Sequence, residues 1–133
     1  MKKMIFGVLS ALFVSSCSSV STGSTVGKKQ TSIAGTQWTL VDSVKGKSPT
    51  LVLEADKISG NAGCNNYFGE LTLDASVGRF SAQNIGSTRM ACDQMTTESN
   101  FLNMLRQADR YRVNGNVLEL YKGSLLLMKF TKM

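Results

Sequence analysis

The fold is indicated most clearly by the stretch YRVNGNVLELYKGSLLLMKFT, residues 111–131. It contains three segments rich in aliphatic and aromatic residues, 111–113, 117–121 and 125–131. The short connections between them read NGN and KGS, and glycine with asparagine at such positions is typical of tight β-hairpins. The stretch therefore predicts an antiparallel meander of three strands.

Shorter segments of the same character precede the meander. They predict five more strands, over residues 36–41, 51–54, 57–60, 67–73 and 79–82. The segment 67–73 has the clearest alternation of apolar and polar residues, which indicates a strand with one buried face. No repeat of 20–50 residues is visible, so we expect one domain built mainly from short strands.

One segment has helical spacing instead. Thr96 or Thr97 is expected to cap a helix, with Glu98 in its first turn. The apolar residues that follow recur at helical spacing and form one face: Phe101, Leu102, Leu105 and Ala108. We predict a helix over about 96–108 that packs on the sheet. Strands with a single helix predict an α+β domain with a mostly antiparallel, barrel-like sheet.

The composition restricts the class of function. The 133 residues are enough for one domain of ordinary size, and none of them is histidine. Without histidine, imidazole-dependent nucleophiles and imidazole metal sites are excluded. The net charge is +6, but the basic residues are scattered and two of them lie in the first three residues. We therefore expect no enzyme activity, cofactor, metal or nucleic acid.

The beginning of the chain is typical of a bacterial export signal. Two lysines precede an apolar run over 4–14, which is shorter than the roughly 20 residues that span a bilayer. The run ends in VSSC, residues 14–17, which resembles the lipobox of bacterial lipoproteins. The resemblance implies a signal peptide over 1–16, cleavage before Cys17 and acylation of Cys17, including palmitate-type chains. Simple secretion with cleavage at a nearby small residue is the alternative.

The next stretch, residues 17–32, is rich in serine, threonine and glycine and is expected to be a flexible tether after the acylated cysteine. Ser18, rather than aspartate, follows Cys17, which agrees with sorting to the outer membrane. The expected location is thus the bacterial cell envelope, as an outer-membrane lipoprotein that faces the periplasm.

The least generic residues lie in the middle of the chain. They are GNAGCNNYFG at 60–69 and TRMAC at 88–92. Together with WTL at 38–40, they resemble the META domain family, in particular its HslJ-like bacterial lipoproteins. The resemblance covers the predicted domain, residues 33–133. It implies a strongly curved antiparallel sheet with one packed helix, in a soluble envelope domain that is often lipid-anchored.

The resemblance also sets expectations for function. Members of the family have been linked to heat shock, to novobiocin resistance and, in parasites, to secretion or motility. The family has no established biochemical activity, so the resemblance implies no mechanism.

Two cysteines remain once Cys17 is assigned to lipid. Export would place Cys64 and Cys92 in an oxidising compartment, which favours a structural disulfide. Such a bridge would stabilise the fold by roughly 3–4 kcal/mol in the loop-entropy account. Two reduced buried thiols, or a redox pair activated by Arg89, are the alternatives.

A candidate binding recess is formed by Asn65, Asn66 and Arg89. Alternatively, the two asparagines hold turn conformations and Arg89 pairs with a carboxylate or a carbonyl group.

Two hypotheses of function follow. In the first, a non-enzymatic, lipid-anchored envelope protein binds or stabilises an envelope component, such as an envelope protein partner, and contributes to stress or drug tolerance. In the second, the curved sheet encloses an apolar cavity and carries a small molecule or a lipid.

Overall fold

The structure of the protein is a computed structural model that describes residues 26–133. The predicted signal peptide and Cys17 lie outside the described residues. Within the described part, none of the helical structure is both long enough and apolar enough to span a membrane. The described residues form eight strands and one helix: β1 (Thr36–Leu40), β2 (Thr50–Leu53), β3 (Lys57–Asn61), β4 (Asn66–Asp74), β5 (Arg79–Ser87), α1 (Met95–Gln107), β6 (Arg110–Asn114), β7 (Val117–Lys122) and β8 (Leu125–Lys132).

The eight strands form a closed antiparallel barrel. Each strand pairs with the next one along the chain, and β8 pairs with β1, where Thr39 lies opposite Thr131. The predicted fold class, an α+β domain with a mostly antiparallel barrel-like sheet and one packed helix, is confirmed.

The two hairpins of the predicted meander are tight. Asn114 pairs with Val117 and Lys122 pairs with Leu125, so each loop contains two residues. The first loop residue is Gly115 in one hairpin and Gly123 in the other, with φ of 57° and 59°. Glycine adopts this left-handed conformation without a steric cost, and so both connections can turn within two residues.

Strand β5 is longer than its sequence pattern predicts. The prediction ended at residue 82, whereas the strand continues to Ser87. Its pairing with β4 shifts register between Phe68 and Glu70, and the opposite residue Asn84 has a φ of 50°. This bulge interrupts the alternation of buried and exposed residues, which hid the second half of the strand.

Helix α1 lies where it was predicted, but its cap is different. Neither Thr96 nor Thr97 caps it: the residue at the N-cap is Gln94, without a side-chain cap hydrogen bond. The Thr97 hydroxyl instead donates to the Lys45 carbonyl at 3.2 Å, which ties the helix to the loop after β1. The predicted apolar face is buried: Phe101, Leu102, Leu105 and, just past the helix, Ala108.

The barrel is weakly paired between β5 and β6, the two strands that α1 connects. β5 and β6 share the single register pair Arg79 and Arg110, and α1 contacts β5. The Phe101 ring packs between Tyr67 and Phe130, with ring centroids 5.6 Å and 6.4 Å away.

Buried side chains fill the barrel interior. The largest are Trp38, Tyr67, Tyr111, Phe80, Phe101 and Phe130. The interior is therefore a packed core, which gives the carrier hypothesis no structural support.

The barrel's contacts begin before the predicted domain boundary at Ile33. The Gln30 backbone N–H donates to the Ala75 carbonyl at 2.7 Å, and the Gln30 side-chain oxygen accepts from the Val113 N–H at 3.0 Å. The Tyr111 hydroxyl donates to the Thr31 carbonyl at 2.9 Å. The last residues of the predicted tether thus lie against the barrel.

Candidate functional site

The two sequence motifs meet at one end of the barrel. The turn between β3 and β4 carries the first motif, and the segment 88–92 after β5 carries the second. The turn is closed by the Ala62 N–H, which donates to the Asn65 carbonyl at 2.9 Å, and by the Gly63 N–H, which donates to Asn61 Oδ1 at 2.9 Å. Among the described residues, the one non-glycine residue with a positive φ is Asn84, which lies outside this turn. The asparagines of the turn therefore act through side-chain hydrogen bonds and not through a left-handed backbone.

The place where the two motifs, residues 60–69 and 88–92, meet is called the junction below. Asn65 is at its centre. It is 1% exposed, and its carboxamide makes four hydrogen bonds. Oδ1 accepts from the Thr88 hydroxyl at 2.9 Å and from the Met90 N–H at 2.8 Å. Nδ2 donates to the Met90 carbonyl at 3.1 Å and to Glu98 Oε2 at 3.0 Å. A carboxamide has two donor and two acceptor positions, so Asn65 has none left for a ligand.

Glu98 connects the junction to the helix. It is 4% exposed, and its two oxygens accept from the backbone and side-chain N–H groups of Asn65, at 2.9 Å and 3.0 Å. A buried carboxylate is costly unless it is hydrogen-bonded, and these bonds satisfy it. The sequence placed Glu98 correctly in the first turn of the helix but missed its contact with Asn65. The only local signal was its position shortly after the second motif.

A disulfide closes the same junction. Cys64 and Cys92 are bonded, with a Cα–Cα distance of 6.0 Å and a sequence separation of 28 residues. The structure contains the predicted disulfide, so the two thiols are not in the reduced form of the alternative. The bond joins the turn before β4 to the segment that leads into α1.

A recess of about 410 Å³ lies beside the junction. It is lined by Asn65, Ser87, Thr88, Arg89, Met90, Ala91, Met95 and Glu98. Two of the three residues predicted to form a recess, Asn65 and Arg89, are therefore together. Asn66 lies outside this lining, and its Oδ1 accepts from Asn61 Nδ2 at 3.0 Å.

Arg89 is the charged side chain of the recess with free hydrogen-bonding capacity. It is exposed, and its guanidinium forms no hydrogen bond or ion pair with residues 26–133, so the predicted alternative of pairing with a carboxylate or carbonyl is not found there. Next to it, Met90 is 61% exposed and Met95 is also exposed. The recess thus offers a free cation beside two apolar, flexible side chains.

Tyr67 packs beside the junction and has a structural role. Its hydroxyl donates to the Thr50 carbonyl at 2.6 Å, and burial raises the pKa of Tyr67 far above its usual range. A Cβ atom added to Gly60 would overlap the same Thr50 carbonyl oxygen. Because Tyr67 stays protonated and its hydroxyl is engaged, it has no capacity for acid–base chemistry near neutral pH.

Other titratable groups with displaced pKa values lie on strands and turns away from the junction. Burial raises the pKa of Tyr111, and burial with a hydrogen bond to Glu119 raises the pKa of Tyr121. Hydrogen bonds from Ser76 lower the pKa of Asp74. In the described part of the chain, no cluster of three or more carboxylates or thiolates is arranged to hold a metal ion.

A known protein family matches the part of the chain that contains both motifs. The sequence model of the META domain matches residues 31–132. The chain belongs to the META domain family. The match begins just before the predicted boundary at Ile33 and includes both motifs of the junction.

Solved structures share the fold of this META domain. An NMR structure of a protein from Burkholderia xenovorans has a TM-score of 0.59 and 27% sequence identity, and the match covers 75% of this chain and 83% of that one. A second NMR structure has a TM-score of 0.55 and 21% identity over 73% of this chain and 88% of the other, and it supports the fold alone. The comparison with curated proteins gave no match.

Proposed function

We propose that the chain is a lipid-anchored, HslJ-like protein of the bacterial envelope whose META domain binds an envelope protein and so contributes to stress or drug tolerance. The family and the barrel fold are consistent with a non-enzymatic envelope protein. The observation that carries the proposal is the unpaired guanidinium of Arg89 beside Met90 and Met95.

The chemistry of the recess suits one kind of partner. A guanidinium pairs with a carboxylate through two parallel hydrogen bonds, and methionine side chains adapt their shape to apolar groups. A partner segment with a carboxylate next to apolar side chains would complement Arg89, Met90 and Met95. A hydrogen bond to a charged group contributes about 1.5–3 kcal/mol, so losing the guanidinium should weaken binding about tenfold or more.

The segment that carries Arg89 is held on both sides. The Met90 backbone is hydrogen-bonded to Asn65 through both its N–H and its carbonyl, and Cys92 is in the disulfide. A surface that is already ordered loses less conformational entropy when a partner binds. This supports binding at the recess rather than a purely connecting role for the segment.

Two further features favour binding over catalysis. Both oxygens of Glu98, the buried carboxylate of the recess, are engaged by Asn65. An arginine stays protonated at neutral pH and is a poor general base. The recess thus contains no histidine, and its one carboxylate is engaged by internal hydrogen bonds.

The proposed location follows from the predicted lipobox. Acyl chains on Cys17 would contribute about 0.8 kcal/mol per buried methylene, enough for stable anchoring when several chains are present. Palmitate labelling that persists in Cys17→Ala would contradict the anchor, independently of what the recess binds.

Site-specific crosslinking in cells tests the binding surface. A photoreactive residue at Met90 should capture an envelope protein, identified by mass spectrometry. The same residue at Val77, which is exposed in the turn between β4 and β5, serves as the matched control. The Met90 adduct should be lost in the Arg89→Glu variant and reduced in Arg89→Lys, which keeps the positive charge but not the two parallel hydrogen bonds.

Two results would contradict the proposal. One is the same set of adducts from Met90 and Val77, which would indicate unspecific capture. The other is a Met90 adduct that Arg89→Glu leaves unchanged, because the partner would then not depend on the guanidinium.

A further inference from the structure

A second candidate site lies on the outer surface of the barrel, where β3, β4 and β5 run side by side. Phe68 is 61% exposed there and pairs in register with Gly86 of the next strand. A Cβ atom on Gly86 would stand 3.1 Å from Cε2 and Cζ of the ring. The ring therefore lies over the Gly86 backbone, which supports one side of it and leaves the rest open to solvent.

Polar side chains surround this ring. Ser59 lies opposite Phe68 on β3, and Lys57 lies opposite Glu70. These residues share a recess of about 480 Å³, within the range of about 300–1,000 Å³ that is usual for small-molecule sites. Its lining includes Glu54, Lys57, Ser59, Phe68, Glu70 and Asn84.

The bulge in β5 places the amide of this recess. Asn84 adopts a φ of 50°, and its Nδ2 donates to Glu70 Oε2 at 3.0 Å. With respect to residues 26–133, Asn84 Oδ1 and Glu70 Oε1 accept no hydrogen bond. The pair is thus held in one orientation and keeps two free acceptors at the surface. Covering Gly86 is a reason for an aromatic residue at position 68, but it does not account for this oriented pair.

We propose that this outer recess binds a saccharide. The face of an aromatic ring is electron-rich and attracts the weakly positive C–H groups on one face of a pyranose. The carboxylate and carboxamide oxygens next to it accept hydrogen bonds from hydroxyl groups, and Ser59 both donates and accepts. Phe68 thus provides the stacking surface, and Glu70 with Asn84 provides the polar contacts.

The charges of the recess favour a neutral ligand. Glu54 and Glu70 repel an anion such as phosphate, and the ammonium group of Lys57 repels an organic cation that would otherwise stack on the ring. A neutral polyhydroxylated ring is repelled by neither. This recess and the one at Arg89 share no lining residue, so the inference goes beyond the proposed protein partner.

Amide NMR shifts of the full-length protein test the inference. Chitotetraose, cellotetraose and maltotetraose are titrated separately to millimolar concentrations. At least one should shift the amides of Ser59, Phe68, Glu70 and Asn84 in a saturable way. Phe68→Ala should weaken that binding about tenfold, and Phe68→Trp, which keeps an aromatic face, should preserve it. Leu125→Ala removes a similarly exposed apolar side chain, 63% exposed on β8, and should leave binding unchanged.

Three outcomes would overturn the inference. The first is that none of the three saccharides shifts these amides. The second is that Phe68→Ala, with a spectrum that shows it is folded, binds as well as the unaltered protein. The third is that spermidine binds the same amides more tightly than every saccharide, which would make this an amine site.

Discussion

Replacing Glu98 by glutamine tests how the junction is held together. The substitution keeps the shape of the side chain but turns one acceptor oxygen into an NH₂ group, which only donates. In the structure, both Glu98 oxygens face donors of Asn65. Asn65 cannot turn its carboxamide around to help, because its Oδ1 already accepts from Thr88 and Met90.

The magnitude follows from the number of donors left without an acceptor. Glu98→Gln leaves one buried N–H group of Asn65 unpaired, which costs about 1–3 kcal/mol. Glu98→Ala leaves both unpaired, so it should cost about twice as much, roughly 2–6 kcal/mol. A domain of this size has a urea m-value of about 1–3 kcal/mol per molar, so Glu98→Gln should lower the urea midpoint by about 1 M.

Urea unfolding with the disulfide intact measures these differences. Glu54→Gln is the matched control, because Glu54 is exposed and its side chain makes no hydrogen bond within the described part of the chain. Its free energy of unfolding should stay within about 0.5 kcal/mol of that of the unaltered protein. The reasoning would be refuted if Glu98→Gln were as stable as Glu54→Gln, or if Glu98→Ala and Glu98→Gln lost the same amount.

Three further predictions concern the disulfide, one glycine and the pH dependence of stability. Replacing Cys64 and Cys92 together by serine should lower the free energy of unfolding by about 3–4 kcal/mol, and reductant should then have no further effect. Gly60→Ala should cost about 3 kcal/mol or more of unfolding free energy, since its φ is 151° and a Cβ would overlap backbone atoms. Gly115→Ala, where φ is 57° and the space around a Cβ is open, should cost only about 1–2 kcal/mol. Equal losses for the two variants in thermal unfolding would contradict this. Tyr67 stays protonated in the fold, so its contribution to stability should be complete below its ordinary pKa of 10.0 and fall above it, by at most about 1.4 kcal/mol per pH unit. Tyr67→Phe should flatten that alkaline loss in chemical unfolding, and an unchanged slope would count against the assignment.

The strands were predictable where the pattern was local. Alternation over 67–73 and the glycine turns near the C-terminus predicted β4 and the last three strands, because both signals come from neighbouring residues. The second half of β5 was missed because the bulge at Asn84 breaks the alternation. Closure of the barrel was also beyond local patterns, since it joins β1 to β8 across nearly the whole described chain.

The junction was predicted in part for the same reason. If the chain is exported as predicted, its two remaining cysteines have few alternatives to each other, so Cys64 and Cys92 could be paired from the sequence. The contact between Asn65 and Glu98 joins residues 33 positions apart, and nothing in either local sequence specifies it. A threonine before an apolar helical pattern predicts a cap, but the contact of Thr97 with the Lys45 carbonyl replaced that role.

Each of the two distinctive motifs therefore contains residues that hold the fold together and a residue with capacity to bind. Asn65, in the first motif, has every donor and acceptor position engaged, and the thiols are oxidised. Hydrogen-bonding capacity remains instead at Arg89 and at the oriented Glu70 and Asn84 pair. A group whose hydrogen-bonding positions are all engaged cannot bond a ligand without breaking an internal bond. Substitutions at Asn65 and at the two cysteines should therefore lower stability before they lower binding. Substitutions at Arg89, Glu70 and Asn84 should lower binding while the fold remains intact, and this difference separates the two roles experimentally.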